Sequence, residues 1–114
     1  MAYIYLIIDK GNALAKVGYA GGLHKRVPAY GTSNPLAVIV DHCETYRTSR
    51  RTLETLAHKR MRALGGVPVQ AVMTGARSEW YTFPNDAGMI DRLALEGLAV
   101  LDLGNRKYLG AFRL

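Results

Sequence analysis

Two apolar, aromatic-rich runs joined by a short turn open the chain, and they constrain the fold more than anything that follows. Residues 2–8, AYIYLII, are apolar or aromatic on both faces of an extended chain, which predicts a strand covered on both sides, central in its sheet. Asp9-Lys10-Gly11-Asn12 is a turn cluster. Residues 14–20, LAKVGYA, read as a second strand, and the short connection makes the pair an antiparallel hairpin. Gly18 inside that strand gives up a packing side chain, which points to a bulge or to the close approach of another group.

Beyond the hairpin the signals alternate. Gly21-Gly22 breaks the pattern, and residues 23–30 read as a short helix whose regularity Pro28 limits. A loop over 31–35 leads into LAVIVDHC, residues 36–43, a β-branched third strand. Thr48 or Ser49 is placed to cap a helix over roughly 50–64, with Leu53, Leu56, Ala57 and Leu64 on one face and Gly65-Gly66 as its stop. Residues 67–78 fit strand or loop. Glu79-Trp80-Tyr81 reads as a short extended piece, with Trp80, the single tryptophan, expected to bury against the sheet. Pro84-Asn85-Asp86 starts a further helix, with Ala87, Ile90, Leu93 and Ala94 inward and Gly97 as its stop. Residues 98–103 suit a last strand or a packing segment, and the tail 104–114 carries little signal. The economical arrangement is an α+β fold, a small three-stranded antiparallel sheet flanked by helices, in a single domain over residues 1–114.

Composition narrows the function. The length of 114 residues supports one core without disulfides. Cys43 is the only cysteine, so an intrachain disulfide and Cys-rich zinc spacings are excluded. The N-terminus lacks the basic flank and long apolar run of a secretory signal, and no stretch approaches the ~18 apolar residues of a membrane span. A cytoplasmic setting without membrane attachment is expected. Fifteen Lys and Arg against nine Asp and Glu give a net charge of +6. Arg47, Arg50, Arg51, Lys59, Arg60 and Arg62 crowd one segment around Glu54, which suits nucleic acid because each phosphate contact releases counterions.

On spacing alone, Tyr5, Lys16, Tyr19, Arg26 and Glu54 are groups that a hairpin and two helices packed on one small sheet can bring together. Each also has an ordinary structural reading. A strand tyrosine usually packs across strands, Lys16 suits a solvated edge, and Glu54 with His58 suits a surface pair one helical turn apart.

The order of the short motifs adds a resemblance. Tyr3-Ile4-Tyr5, a turn, and Lys16-Val17-Gly18 resemble the two tripeptides of the GIY-YIG endonuclease superfamily. Residues 19–26, YAGGLHKR, are similar to that family's run ending in arginine, and Tyr30 matches a position that often holds Tyr or His. Thr32-Ser33-Asn34-Pro35, Arg51-Thr52-Leu53-Glu54 with His58, and Ser78-Glu79-Trp80-Tyr81 resemble motifs of a phage-associated branch. The match covers about residues 2–82, with a C-terminal helix and tail over 83–114 unmatched. The resemblance implies metal-dependent hydrolysis of phosphodiesters, most readily DNA, with one Mg2+ or Mn2+ ion, in a cell that a phage infects. Tyr5 would stand by the attacking water, Arg26 would hold the scissile phosphate, Tyr30 would be a further catalytic residue, and Glu54 would bind the metal. Lys16, Tyr19, Arg50, Arg51 and His58 would contact the nucleic-acid backbone. Two positions depart from the family pattern: Tyr3 replaces its first glycine and Lys16 the tyrosine of its second tripeptide. A lysine cannot play a tyrosine's role unchanged, although it adds a phosphate contact. The alternatives are a module that binds nucleic acid without cutting it, or a phage accessory factor whose basic face meets an acidic protein.

Overall fold

The computed structural model describes residues 2–20, 38–45, 50–69, 80–104 and 112–113. In chain order the elements are β1 (Ala2–Asp9), β2 (Leu14–Ala20), β3 (Val38–Thr45), α1 (Arg50–Ala63), β4 (Val67–Pro68), β5 (Trp80–Thr82), α2 (Met89–Glu96), a 3-10 turn (Gly97–Leu101) and β6 (Phe112–Arg113). The expected short helix over 23–30 and the caps at Thr48 and Ser49 lie outside the described residues.

The fold is α+β, as the pattern predicts, but among the described residues the sheet holds six antiparallel strands instead of three, in the order β4-β5-β2-β1-β3-β6. The three additions are two or three residues long, too short to leave a period in the sequence. β1 is central, as its two apolar faces require. Ile4, Leu6 and Ile8 join Ala15, Val17 and Cys43 on one face, and there they meet Leu53, Ala57 and Met61 of α1 and Leu93 of α2. Tyr5, Ile7 and Ile39 are buried on the opposite face. Full burial of each large aliphatic side chain contributes about 1.5–3 kcal/mol, so these two layers dominate the stability of the sheet.

The hairpin turn is held by Asp9, which is fully buried. Its carboxylate accepts from the Asn12 backbone N–H at 3.1 Å and from Asn12 Nδ2 at 2.9 Å, so the turn supplies polar partners for a charge that burial would otherwise penalise. α1 ends as its double glycine predicts. The Gly65 N–H donates to the Arg62 carbonyl and the Gly66 N–H to the Met61 carbonyl, each at 3.0 Å, the Schellman pattern that satisfies the last helical carbonyls.

The pairing of β1 with β3 contains a bulge. Leu6 faces Asp41 and Ile7 faces Ile39, leaving Val40 as the extra residue. Simple alternation would put Ile39, Asp41 and Cys43 on one face. The bulge turns Ile39 to the Tyr5 face and leaves Asp41 and Cys43 toward the helices. There the buried Asp41 carboxylate accepts from the backbone N–H of His42 and of Leu98, both at 2.8 Å. Gly97 packs against it at φ +68°, and a Cβ at that position would stand 2.9 Å from Asp41 Cβ. Residues 98–103 are therefore a packing segment and not a strand. Leu98, Leu101 and Leu103 are buried in the helix-side core. One expected inward residue of the last helix is displaced. Ala87 is exposed because the chain turns through Asp86–Gly88 and the helix starts at Met89, which is buried in its place.

Candidate functional site

The two tripeptides lie side by side in the hairpin. Tyr5 is the register partner of Gly18, and Ile7 of Lys16, with no irregularity between them. Gly18 is therefore not a bulge but the site of a close approach, the other option its sequence leaves open. A Cβ there would stand 2.6 Å from Tyr5 Cζ and closer still to the hydroxyl. The tyrosine ring fills the space that the glycine leaves empty, and Tyr5 is only 1 % exposed.

Strand alternation builds the rest of that face. Across the sheet, Trp80, Lys16, Ile7 and Ile39 form one row, and Gly18, Tyr5 and His42 the next. The Lys16 Nζ stands 5.8 Å from the centroid of the Trp80 ring. Lys16 is thus not on a solvated edge, because β5 pairs outside β2 and supplies a tryptophan beside it. His42 is buried, with its ring 5.9 Å from that of Tyr3. Tyr19 faces Ile4 and packs against the helix-side core, so it lies on the face opposite Lys16.

Glu54 stands on α1, half-buried, beside the anchor Leu53. The helix rests through Leu53, Ala57 and Met61 on the face of Ile4, Leu6 and Ile8, the one opposite Tyr5. One turn beyond Glu54, His58 Nδ1 forms a 2.6 Å hydrogen bond with the hydroxyl of Tyr81, which is itself fully buried. His58 therefore ties α1 to β5. Of the expected site residues, Tyr5 and Lys16 share one face, while Tyr19, Glu54 and His58 belong to the helix side. Arg26 and Tyr30 lie outside the described residues. Arg50 and Arg51 occupy the first turn of α1, and their side chains also lie outside. Among the described residues, no cluster of three or more His, Cys, Asp or Glu is placed to hold a metal ion.

Sequence reasoning missed two partners. Trp80 reads as a core residue, yet it is half-buried beside Lys16 while Tyr81 takes the buried place. Alternation over Trp80-Tyr81-Thr82 puts only one of the aromatic pair into the helix-side core, and the three residues do not reveal which. Tyr81 as a partner for His58 is equally invisible until β5 is placed against β2.

No described helix is long and apolar enough to cross a membrane. No curated protein and no solved structure matches the chain. The sequence does match the family model of the T5orf172 domain over residues 2–94. The match runs past the motifs ending near residue 82 and takes in most of α2. With the greater part of its length matched, the chain belongs to the T5orf172 domain family, a phage-associated domain of nuclease-related proteins.

Proposed function

We propose that this domain is a GIY-YIG-like nuclease that hydrolyses DNA phosphodiesters with one divalent ion, Mg2+ or Mn2+. The observation that carries the reading is the seating of Tyr5 on Gly18. The last residues of the two tripeptides form one packed unit, which accounts physically for a tyrosine and a glycine at those two places. The family's nuclease-related setting and the net charge of +6 support the same reading.

The roles follow from chemistry. Arg26 offers a planar fork of donors to the scissile phosphate, with Tyr30 beside it. Tyr5 orients or deprotonates the attacking water. Lys16 contacts the nucleic-acid backbone from the Tyr5 face, Tyr19 and His58 from the helix side, and Arg50 and Arg51 from the first turn of α1. Glu54 would hold the ion. A half-buried carboxylate fits Mg2+, which keeps several waters and needs only one or two protein carboxylates. When bound, such an ion lowers the pKa of its water and stabilises the leaving oxygen.

One observation favours a second reading, a nucleic-acid-binding module without efficient cleavage. Tyr5 is buried on the face opposite the one on which α1, the helix of Glu54, packs. Incubating the purified chain with supercoiled, single-stranded and branched DNA and Mg2+ or Mn2+ separates the two. We expect slow nicking that chelation abolishes and that Glu54→Ala nearly eliminates. Arg26→Ala should cost on the order of 10²-fold, and Tyr5→Phe ~10²–10⁴-fold if Tyr5 is a general base. DNA binding with no metal-dependent cleavage of any of these substrates would leave the binding module.

A further inference from the structure

We propose that Trp80 and Lys16 form one phosphate-binding unit, in which the indole is the platform that positions the lysine for a nucleic-acid backbone. The inference rests on the nucleic-acid reading above and adds to it a residue, Trp80, and a division of labour. Lys16 sits in the interior of the sheet face, between Trp80 on β5 and Ile7 on β1 in the same cross-strand row. Ile7 is fully buried and Trp80 half-buried. A lysine stem in that slot has an apolar wall on each side, against which its methylenes can lie. The Nζ stands 5.8 Å from the indole centroid, within the ~6 Å range over which a ring face attracts a cation.

The placement matters because of what lies next to it. Tyr5 is one row along on the adjacent strand of the same face, diagonal to Lys16. Lys16, half-buried, thus lies on the same face as Tyr5, which is itself buried. A free lysine loses about 2 kcal/mol of rotamer freedom on being fixed. A ring that already confines the stem removes part of that loss before the phosphate arrives, so Trp80 raises affinity without touching the ligand. Arginine-rich α1 supplies charge on the other face, so the unit is a second, separable point of attachment.

Trp80 is the single tryptophan, so its fluorescence reports on this unit alone. A short DNA duplex should change the emission in step with binding followed independently by the anisotropy of labelled DNA. Lys16→Met keeps the stem and removes the charge. It should weaken binding and lower the slope of log affinity against log salt by about one. Trp80→Phe, which keeps an aromatic ring and the fold, should weaken binding about two- to five-fold, the size of an exposed cation–π contact. That loss should vanish in the Lys16→Met background, because the ring acts through the lysine. Equal losses in both backgrounds would overturn the inference, as would silent Trp80 emission while labelled DNA binds. If the wild-type chain binds no DNA at low salt, the nucleic-acid reading falls and this unit with it. If the coupling is found but no cleavage occurs, the nuclease reading alone falls.

Discussion

Two glycines decide more at the scale of the residue than their size suggests. Alanine in a strand is ordinarily favoured over glycine by roughly 0.5–1 kcal/mol. At Gly18 the new methyl would meet the end of a tyrosine that is 1 % exposed and has no room to swing aside. Overpacking of this kind costs about 1–3 kcal/mol, so the clash wins and Gly18→Ala should lower the thermal midpoint. The penalty should shrink in a Tyr5→Leu background, where the phenol is gone; equal penalties in both would show that Tyr5 is not the obstacle. Gly97 is constrained twice, by its φ of +68° and by the Asp41 carboxylate against it. The buried Asp41 side chain holds two backbone N–H groups. Asp41→Ala should therefore cost on the order of 2 kcal/mol or more through donors left unsatisfied, measured as a loss of folding free energy in urea. A glycine within an apolar strand announces some close approach, which is how Gly18 is legible. Nothing near Gly97 in the sequence announces Asp41, because the contact joins β3 to a segment far along the chain.

Among the elements, the long ones are legible and the short ones are not. The hairpin, the third strand, α1 with its glycine stop and α2 with Gly97 all have enough residues to show a period or a terminator. β4, β5 and β6 do not. The bulge at Val40 is hidden for another reason: Val38-Ile39-Val40 is uniformly β-branched, so either register looks equally good until Asp41 must reach Leu98. Deleting Val40 would make Ile39 and Asp41 consecutive, and plain alternation would then keep them on the opposite faces they now occupy. We therefore expect the cooperative unfolding transition by circular dichroism to survive the deletion, whereas a second residue inserted beside Val40 should weaken it. The candidate site divides the same way. Tyr5 and Glu54 stand on long elements and are readable, whereas Trp80 and Tyr81 acquire their roles only from where β5 lands. The tie from His58 to Tyr81 has a measurable worth. Tyr81→Phe keeps the ring and loses the hydroxyl, so stability should fall by about 1 kcal/mol, the usual net value of one hydrogen bond. A thermal midpoint identical to wild type would mean that the bond contributes nothing to holding α1.

For the molecule as a whole, a net charge of +6 makes ionic strength the simplest control on association with DNA. Affinity should fall steeply between low and physiological salt, and Arg51→Ala should reduce the log–log slope by about one while weakening all sequences alike. Salt-insensitive binding would argue that the basic excess serves only solubility. The same sheet that presents Lys16 and Tyr5 also has two margins, and these govern how copies of the chain treat one another. A sheet can be extended by any stranger that brings a strand to an open edge, and the length of that edge sets the invitation. Here the outermost strands, β4 and β6, are two residues each, and one of the two in β4 is Pro68. A proline has no N–H to lend to a newcomer. Among the described residues a borrowed strand finds little ladder to climb on β4 or β6 themselves. β1 is paired along its length by β2 on one side and β3 on the other, so the long, apolar central strand offers no edge of its own to a newcomer.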